Sequence, residues 1–288
     1  MEDNILKKLL FAQKREISEY CVYLELAKKL PQDKSKILFD IANQEKKHYE
    51  ILKSITKKEI KPSKIKVIFY LILAKIFGLN FALQMMEMGE RSAFNFYQSI
   101  VESSKELKIF KMIEDEREHE RKMISLIDEK KLYYISDFVL GLNDALVELT
   151  GALAGLTLAL QNTKIIAMVG IITGIAASFS MGISNYLAVK EDKKKDAFFS
   201  GFVTGLSYIF TVFILTSPYL IFENPLTALI FTLSFAILIV AGFNFYISVV
   251  KREKFISRFL RMASLSLSVA FINFFIGFMI KKFFGIEV

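Results

Sequence analysis

From residue 133 onward the chain consists of long apolar runs that leave little choice of fold. Runs starting near Phe138, Lys164, Ala197, Pro225 and Met262 each give about 20 mostly apolar residues, enough to cross the hydrocarbon layer of a bilayer as a helix. They predict five spans, at about 138–160, 165–189, 197–221, 226–250 and 262–284. Between the second and third spans the chain reads "KEDKKK", and between the fourth and fifth "KREKFISRFLR". The alternate loops, "QNTK" and "FENP", hold a single Lys between them. Basic loops stay on the cytoplasmic side, so the N-terminus is expected in the cytoplasm and the C-terminus outside. Lys281 and Lys282, at the outer end, run against the rule.

The rest of the chain has a different character. Residues 1–132 carry 26 of the 38 Lys and Arg and 21 of the 30 Asp and Glu, the mixture of a water-soluble helical unit. The opening "MEDNILKKLL" lacks the apolar core and cleavage site of a signal peptide. Two domains are therefore expected: a cytoplasmic one over 1–132 and a membrane one over 133–288, in an all-α, multi-pass protein of the cell membrane. The net charge of +8 calls for no nucleic acid. Much of the basic excess lies beside the membrane, where it attracts anionic lipid head groups. Cys21 is the one cysteine, which excludes an internal disulfide.

The soluble part repeats itself. Its two histidines, the only two in the chain, each follow a glutamate by three positions: Glu45 and His48 in "NQEKKHYE", Glu116 and His119 in "DEREHERK". The pairs are 71 residues apart, and the same shift carries Glu16 onto Glu87 and Glu19 onto Glu90. Segments 4–29, 34–57, 80–104 and 107–131 have helical character, with Ile5, Leu9, Ala12, Ile17, Tyr20, Leu24 and Ala27 supplying much of the first apolar stripe. Four helices with one long connection suit a bundle of two hairpins. Residues three apart share a helix face, so each Glu-x-x-His is a two-ligand platform. Glu16 and either Glu87 or Glu90 add carboxylates from the other two helices. Four carboxylates and two imidazoles, with Glu45 and Glu116 placed to bridge, suit two iron or manganese ions better than a thiolate-seeking metal.

Residues 1–132 resemble the ferritin-like superfamily, and within it the rubrerythrin type, on these pairs and on Glu16 seven positions before Tyr23 in "REISEYCVY". Glu90 stands likewise seven before Tyr97 in "GERSAFNFY". The resemblance implies a di-iron centre, with manganese as an alternative, that reacts with dioxygen or peroxide. The expected ligands are Glu16, Glu45, His48, Glu87, Glu116 and His119, with Glu90 supplementary.

The apolar segment 65–83 is the least regular feature. Lys75 and Gly78 interrupt it, and a crossing there would put the two halves of the metal site on opposite sides of the membrane. It is expected to lie on the membrane surface or in a dimer contact.

Ionisable groups inside a span are costly and so informative. In "SDFVLGLNDALVELTGALAGLTLAL", Asp137, Gly141, Asp144, Glu148, Gly151 and Gly155 follow steps of four and three, hence one helix face. In the second span Gly174, Ser178, Met181 and Asn185 do the same. Carboxylates, a soft thioether and an amide oxygen on two faces suggest a path for a divalent transition metal, while the glycines equally suit close helix packing. This half resembles the vacuolar iron transporter family in "DFVLGLNDAL", "SFSMGISNYLAVK", "SGFVTGLSYIF" and "SRFLRMASLSLS". The resemblance implies a homodimer exchanging Fe(II) or Mn(II) for protons, with roles for Asp137, Asp144 and Met181. Glu148 and Asn185 complete the expected pathway. Two departures stand out: Asn185 occupies a position where the family often has Glu, and "EDKKKD" is too short for the metal-binding helices that plant-type members carry between spans two and three. The whole-chain combination is similar to that of membrane-bound ferritins. A membrane-anchored di-iron oxidase or peroxidase is the alternative.

Overall fold

In the computed structural model, residues 2–88, 112, 115, 118–119, 121–123, 129–192 and 196–284 are described. The chain divides into two units, Met1–Ile127 and Asp128–Val288.

In the first unit, α1 (Glu2–Ala27) and α2 (Gln32–Thr56) form an antiparallel hairpin about Pro31. Lys57, with φ 55°, closes α2 in the left-handed conformation and donates its N–H to the Lys53 carbonyl. Far from the hairpin turn, Gln13 donates to the Lys58 carbonyl at 2.8 Å and accepts from the Thr56 hydroxyl at 2.7 Å. The inner face of α1 differs from the stripe expected from its apolar residues. Ile17, Tyr20 and Leu24 are only half-buried, whereas Leu9, Ala12, Glu16, Glu19, Tyr23 and Leu26 are buried. Steps of three and four link the latter set, so carboxylates occupy positions that a bundle helix ordinarily fills with aliphatic residues. In α2 the buried series Leu38, Ile41, Glu45, His48 and Leu52 repeats the arrangement.

Segment 65–83 is divided in two. α3 (Lys64–Phe77) starts at Ser63, whose hydroxyl accepts from the Lys66 N–H, and stops at Gly78, whose φ of 91° only glycine adopts without strain. A second helical stretch covers 79–88. At 14 residues, α3 is ~21 Å long, too short to cross a bilayer. Leu83 and Met86 join Val22, Tyr23, Leu38, Ile41 and Met123 in the core. The expected helices over 80–104 and 107–131 lie largely outside the described residues, as do Glu90 and Glu116.

The second unit is five long helices: α4 (Glu129–Leu160), α5 (Thr163–Asp192), α6 (Ala197–Ile221), α7 (Pro225–Lys251) and α8 (Phe255–Phe284). Each contains a stretch long and apolar enough to span a membrane. Asp196 caps α6 by accepting from the Phe199 N–H, and Asn224 caps α7 from Leu226 and Thr227, with Pro225 at its first turn. Only a few residues separate α5 from α6, which excludes an inserted domain there. Phe198, Ile221, Phe271 and Phe283 are each more than seven-tenths exposed, an outer surface suited to lipid and not to water.

Candidate metal site and transmembrane polar network

Glu16 on α1 and Glu45 and His48 on α2 converge in the first unit. Their nearest ligand atoms all lie within 4.8 Å of one another, and all three side chains are buried. His48 Nδ1 stands 3.6 Å from Glu16 and 3.5 Å from Glu45. His119 Nδ1 is 3.0 Å from the other oxygen of Glu45, and the two imidazole rings are 5.8 Å apart. Glu45 thus sits between the histidines, where a carboxylate shared by two cations belongs. Glu87 is buried as well, on the 79–88 stretch.

Two residues outside the Glu-x-x-His motif complete the pattern. His48 Nε2 is 3.2 Å from Asp115, and His119 Nε2 is 2.9 Å from the Gln44 side-chain oxygen. Gln44 and Asp115 are themselves 71 residues apart, each immediately preceding a glutamate of the repeat. Each half therefore sends an oxygen acceptor across to the histidine of the other half. Such a partner on one ring nitrogen fixes the tautomer that offers the other to a metal. The repeat held this signal, but Gln and Asp differ in charge and do not align as a ligand pair.

Charge is unevenly distributed here. Burial alone works to raise the Glu16 carboxyl, yet Arg15, His48 and Glu45 together hold it well below the usual carboxylate range. Burial works to lower His48, but Glu16 and Glu45 push its pKa up to about 12, so without metal it is an imidazolium between two carboxylates. Glu19 is held by Lys66 at 2.7 Å and by Arg15 at 3.4 Å. Burial nonetheless raises its pKa. This engagement with two cations separates Glu19 from the Glu16–Glu45–His48 group. The group itself fits a divalent ion: oxygen and imidazole donors, buried, converging and anionic.

In the second unit Asp137 is buried. Asn185 donates to it at 3.0 Å and to Thr204 Oγ1 at 2.8 Å, while the Thr204 hydroxyl lies 3.1 Å from the Asp137 carbonyl. The network joins α4, α5 and α6. Glycines on the α4 face serve helix contact. A Cβ at Gly141 would strike the Thr204 carbonyl of α6, and one at Gly155 would meet the Asn273 carbonyl of α8 at 2.9 Å. The α5 face is likewise packed, with Gly174 against Val212 of α6. A cavity of about 430 Å³ opens where Glu148, Gly151 and Gly155 approach Gly174, Tyr208, Asn273 and Gly277. Tyr208 donates to Glu148 at 2.8 Å. Asp144 is half-buried one turn from Glu148, and Met181 packs at the edge of the apolar core; neither lines this cavity.

Five apolar helices and an internal polar network define an integral, multi-pass helical membrane protein. Residues 135–197, from the start of the first span to the start of α6, match the model of the VIT family. Over that stretch the membrane unit is similar to the VIT family. No curated protein matches the chain.

Proposed function

We propose that the protein is a proton-coupled transporter that exports Fe(II), or Mn(II), from the cytosol, and that its N-terminal unit is a ferritin-like bundle that captures or oxidises the ion. One observation carries this reading: a single chain unites a VIT-type membrane domain with the buried constellation of Glu16, Glu45, His48 and His119. The VIT resemblance supplies the metal as cargo, and the oxygen–imidazole donor set suits the same two metals better than a thiolate-seeking one.

In this reading Glu16, Glu45 and His48 hold one ion of a resident pair. Glu45, Glu116 and His119 hold the second, with Glu87 and Glu90 as further carboxylates. Bound there, a di-iron centre would supply electron transfer to oxygen or peroxide. Asp115 and Gln44 keep both histidines in the Nδ1-donating orientation. In the membrane unit, Asp137 and Asn185 form a polar step on the route, Glu148 reaches the cavity, and Met181 is a weak ligand from which the ion departs readily. Asp144 serves as the coupling group, since one carboxylate holds either a proton or a cation. Two copies act together, with the N-terminal unit cytoplasmic and the C-terminus outside.

The test is metal uptake into proteoliposomes of known orientation under an imposed pH gradient. Asp144→Ala is expected to abolish uptake and leave metal loading of the N-terminal unit intact. Unchanged uptake removes Asp144 from the mechanism; no uptake by the parent protein under any gradient defeats the transport reading.

A further inference from the structure

α3 has two faces of unlike purpose. Val67, Tyr70, Leu71 and Ala74 pack against the core formed by α1, α2 and the 79–88 stretch. Lys66 reaches back to Glu19, and the Ser63 N–H donates to the Ser18 hydroxyl at 2.9 Å. The helix is thereby fixed in rotation about its axis. Its other face presents Ile65, Ile68, Phe69, Ile72 and Ile76, between 49% and 83% exposed. Their spacing of three and four places all five on one stripe, and none of α3 is buried. In a protein held in water, five large apolar side chains on a fixed stripe have no evident purpose.

The charges around the stripe say what covers it. Lys64 and Lys75 lie along one margin of the stripe, and Lys57, Lys58 and Lys61 lead into the helix; all five are exposed, against the one acidic Glu59. An apolar stripe with a lysine margin is complementary to an anionic bilayer surface, with the side chains among the acyl chains and the ammonium groups at the phosphates. A second copy of the chain would bring the same lysines against one another. The bilayer is also the partner always at hand, because the five spans belong to the same polypeptide and hold α3 near it at high effective concentration.

We propose that α3 is a lipid-docking helix, lying in the plane of an anionic membrane surface with Ile65, Ile68, Phe69, Ile72 and Ile76 inserted. The proposal rests on α4–α8 spanning the membrane and not on transport. Failure of the spanning itself would show separately, as release of the chain by alkaline carbonate.

The experiment uses the full chain in a Cys21→Ser background, carrying an environment-sensitive fluorophore at Ile72→Cys and reconstituted in liposomes containing phosphatidylglycerol. The expected result is quenching by nitroxide-bearing lipid and protection from aqueous iodide. A label at Glu50→Cys, on the exposed side of α2, should behave in the opposite way. Lys64→Glu combined with Lys75→Glu should diminish the lipid quenching. Iodide quenching of the Ile72 label equal to that at Glu50 would overturn the proposal. So would efficient disulfide formation between two Ile72→Cys copies at low protein density, which would assign the face to a dimer contact. Should Ile72→Cys fail to fold, Ile76→Cys reads the same stripe.

Discussion

The crossed acceptors Asp115 and Gln44 offer the sharpest test of the candidate metal site, because neither is among its expected ligands. Asp115 sits 3.2 Å from His48 Nε2 with its side chain 24% exposed. Replacing Asp115 by Asn keeps shape and removes the charge that holds the Nε2 proton and enriches the opposite nitrogen. Outer partners of ligating histidines are worth about 10–100-fold in metal affinity, or roughly 1.4–2.8 kcal/mol. Partial exposure screens the charge, so the lower end, about tenfold, is expected for Asp115→Asn. Gln44→Glu makes the complementary change beside His119, at 2.9 Å, and should tighten binding. The assay is anaerobic calorimetric titration of the detergent-solubilised chain with Fe(II) or Mn(II). Glu118→Gln is the control, since Glu118 is 54% exposed and bonded to Lys122. If Asp115→Asn and Glu118→Gln bind metal equally well, the crossed acceptors do not orient the histidines.

Two further outcomes follow from the geometry. Asn185→Leu leaves Asp137 and Thr204 without their shared donor, which should cost about 1–3 kcal/mol, read as earlier thermal unfolding in detergent; an unchanged transition would mean the network is not structural. The metal-free N-terminal unit should also respond to pH at both extremes. The raised pKa of His48 contributes stability that is complete below its ordinary 6.5 and fades as pH rises toward about 12. The lowered pKa of Glu16 contributes above its ordinary 4.5 and fades as pH falls toward the lower folded value. Denaturant titrations of the chelated protein across pH would show this plateau, and His48→Gln should remove its alkaline edge.

The spans were legible because a bilayer imposes length and hydrophobicity residue by residue, with no reference to tertiary neighbours. Two of the observed helices, Glu129–Leu160 and Phe255–Phe284, start nine and seven residues before the expected spans, because a helix continues past the apolar core into the polar interface. The convergence of Glu16, Glu45, His48 and His119 was legible through the repeat. The apolar stripe of α1 was not: core positions filled by carboxylates shift the count of hydrophobic residues away from the true inner face. The glycines on the polar faces of α4 and α5 were ambiguous in the sequence for another reason, since identical spacing describes a pathway and a packing seam. Only the position of Thr204, Val212 and Asn273 on neighbouring helices shows that Gly141, Gly174 and Gly155 are in close helix contact.

The sequence by itself determined that five segments are long and apolar enough to cross a membrane and that glutamates and histidines recur in two matched sets, since both follow from local period and composition. Tertiary structure decided which oxygen faces which nitrogen. It turned Glu45 toward both imidazoles, crossed Asp115 and Gln44 between the halves, and left the Ile stripe of α3 outward. Those outcomes depend on how helices distant in sequence rotate against one another, and packing fixes that rotation only when all of them are present.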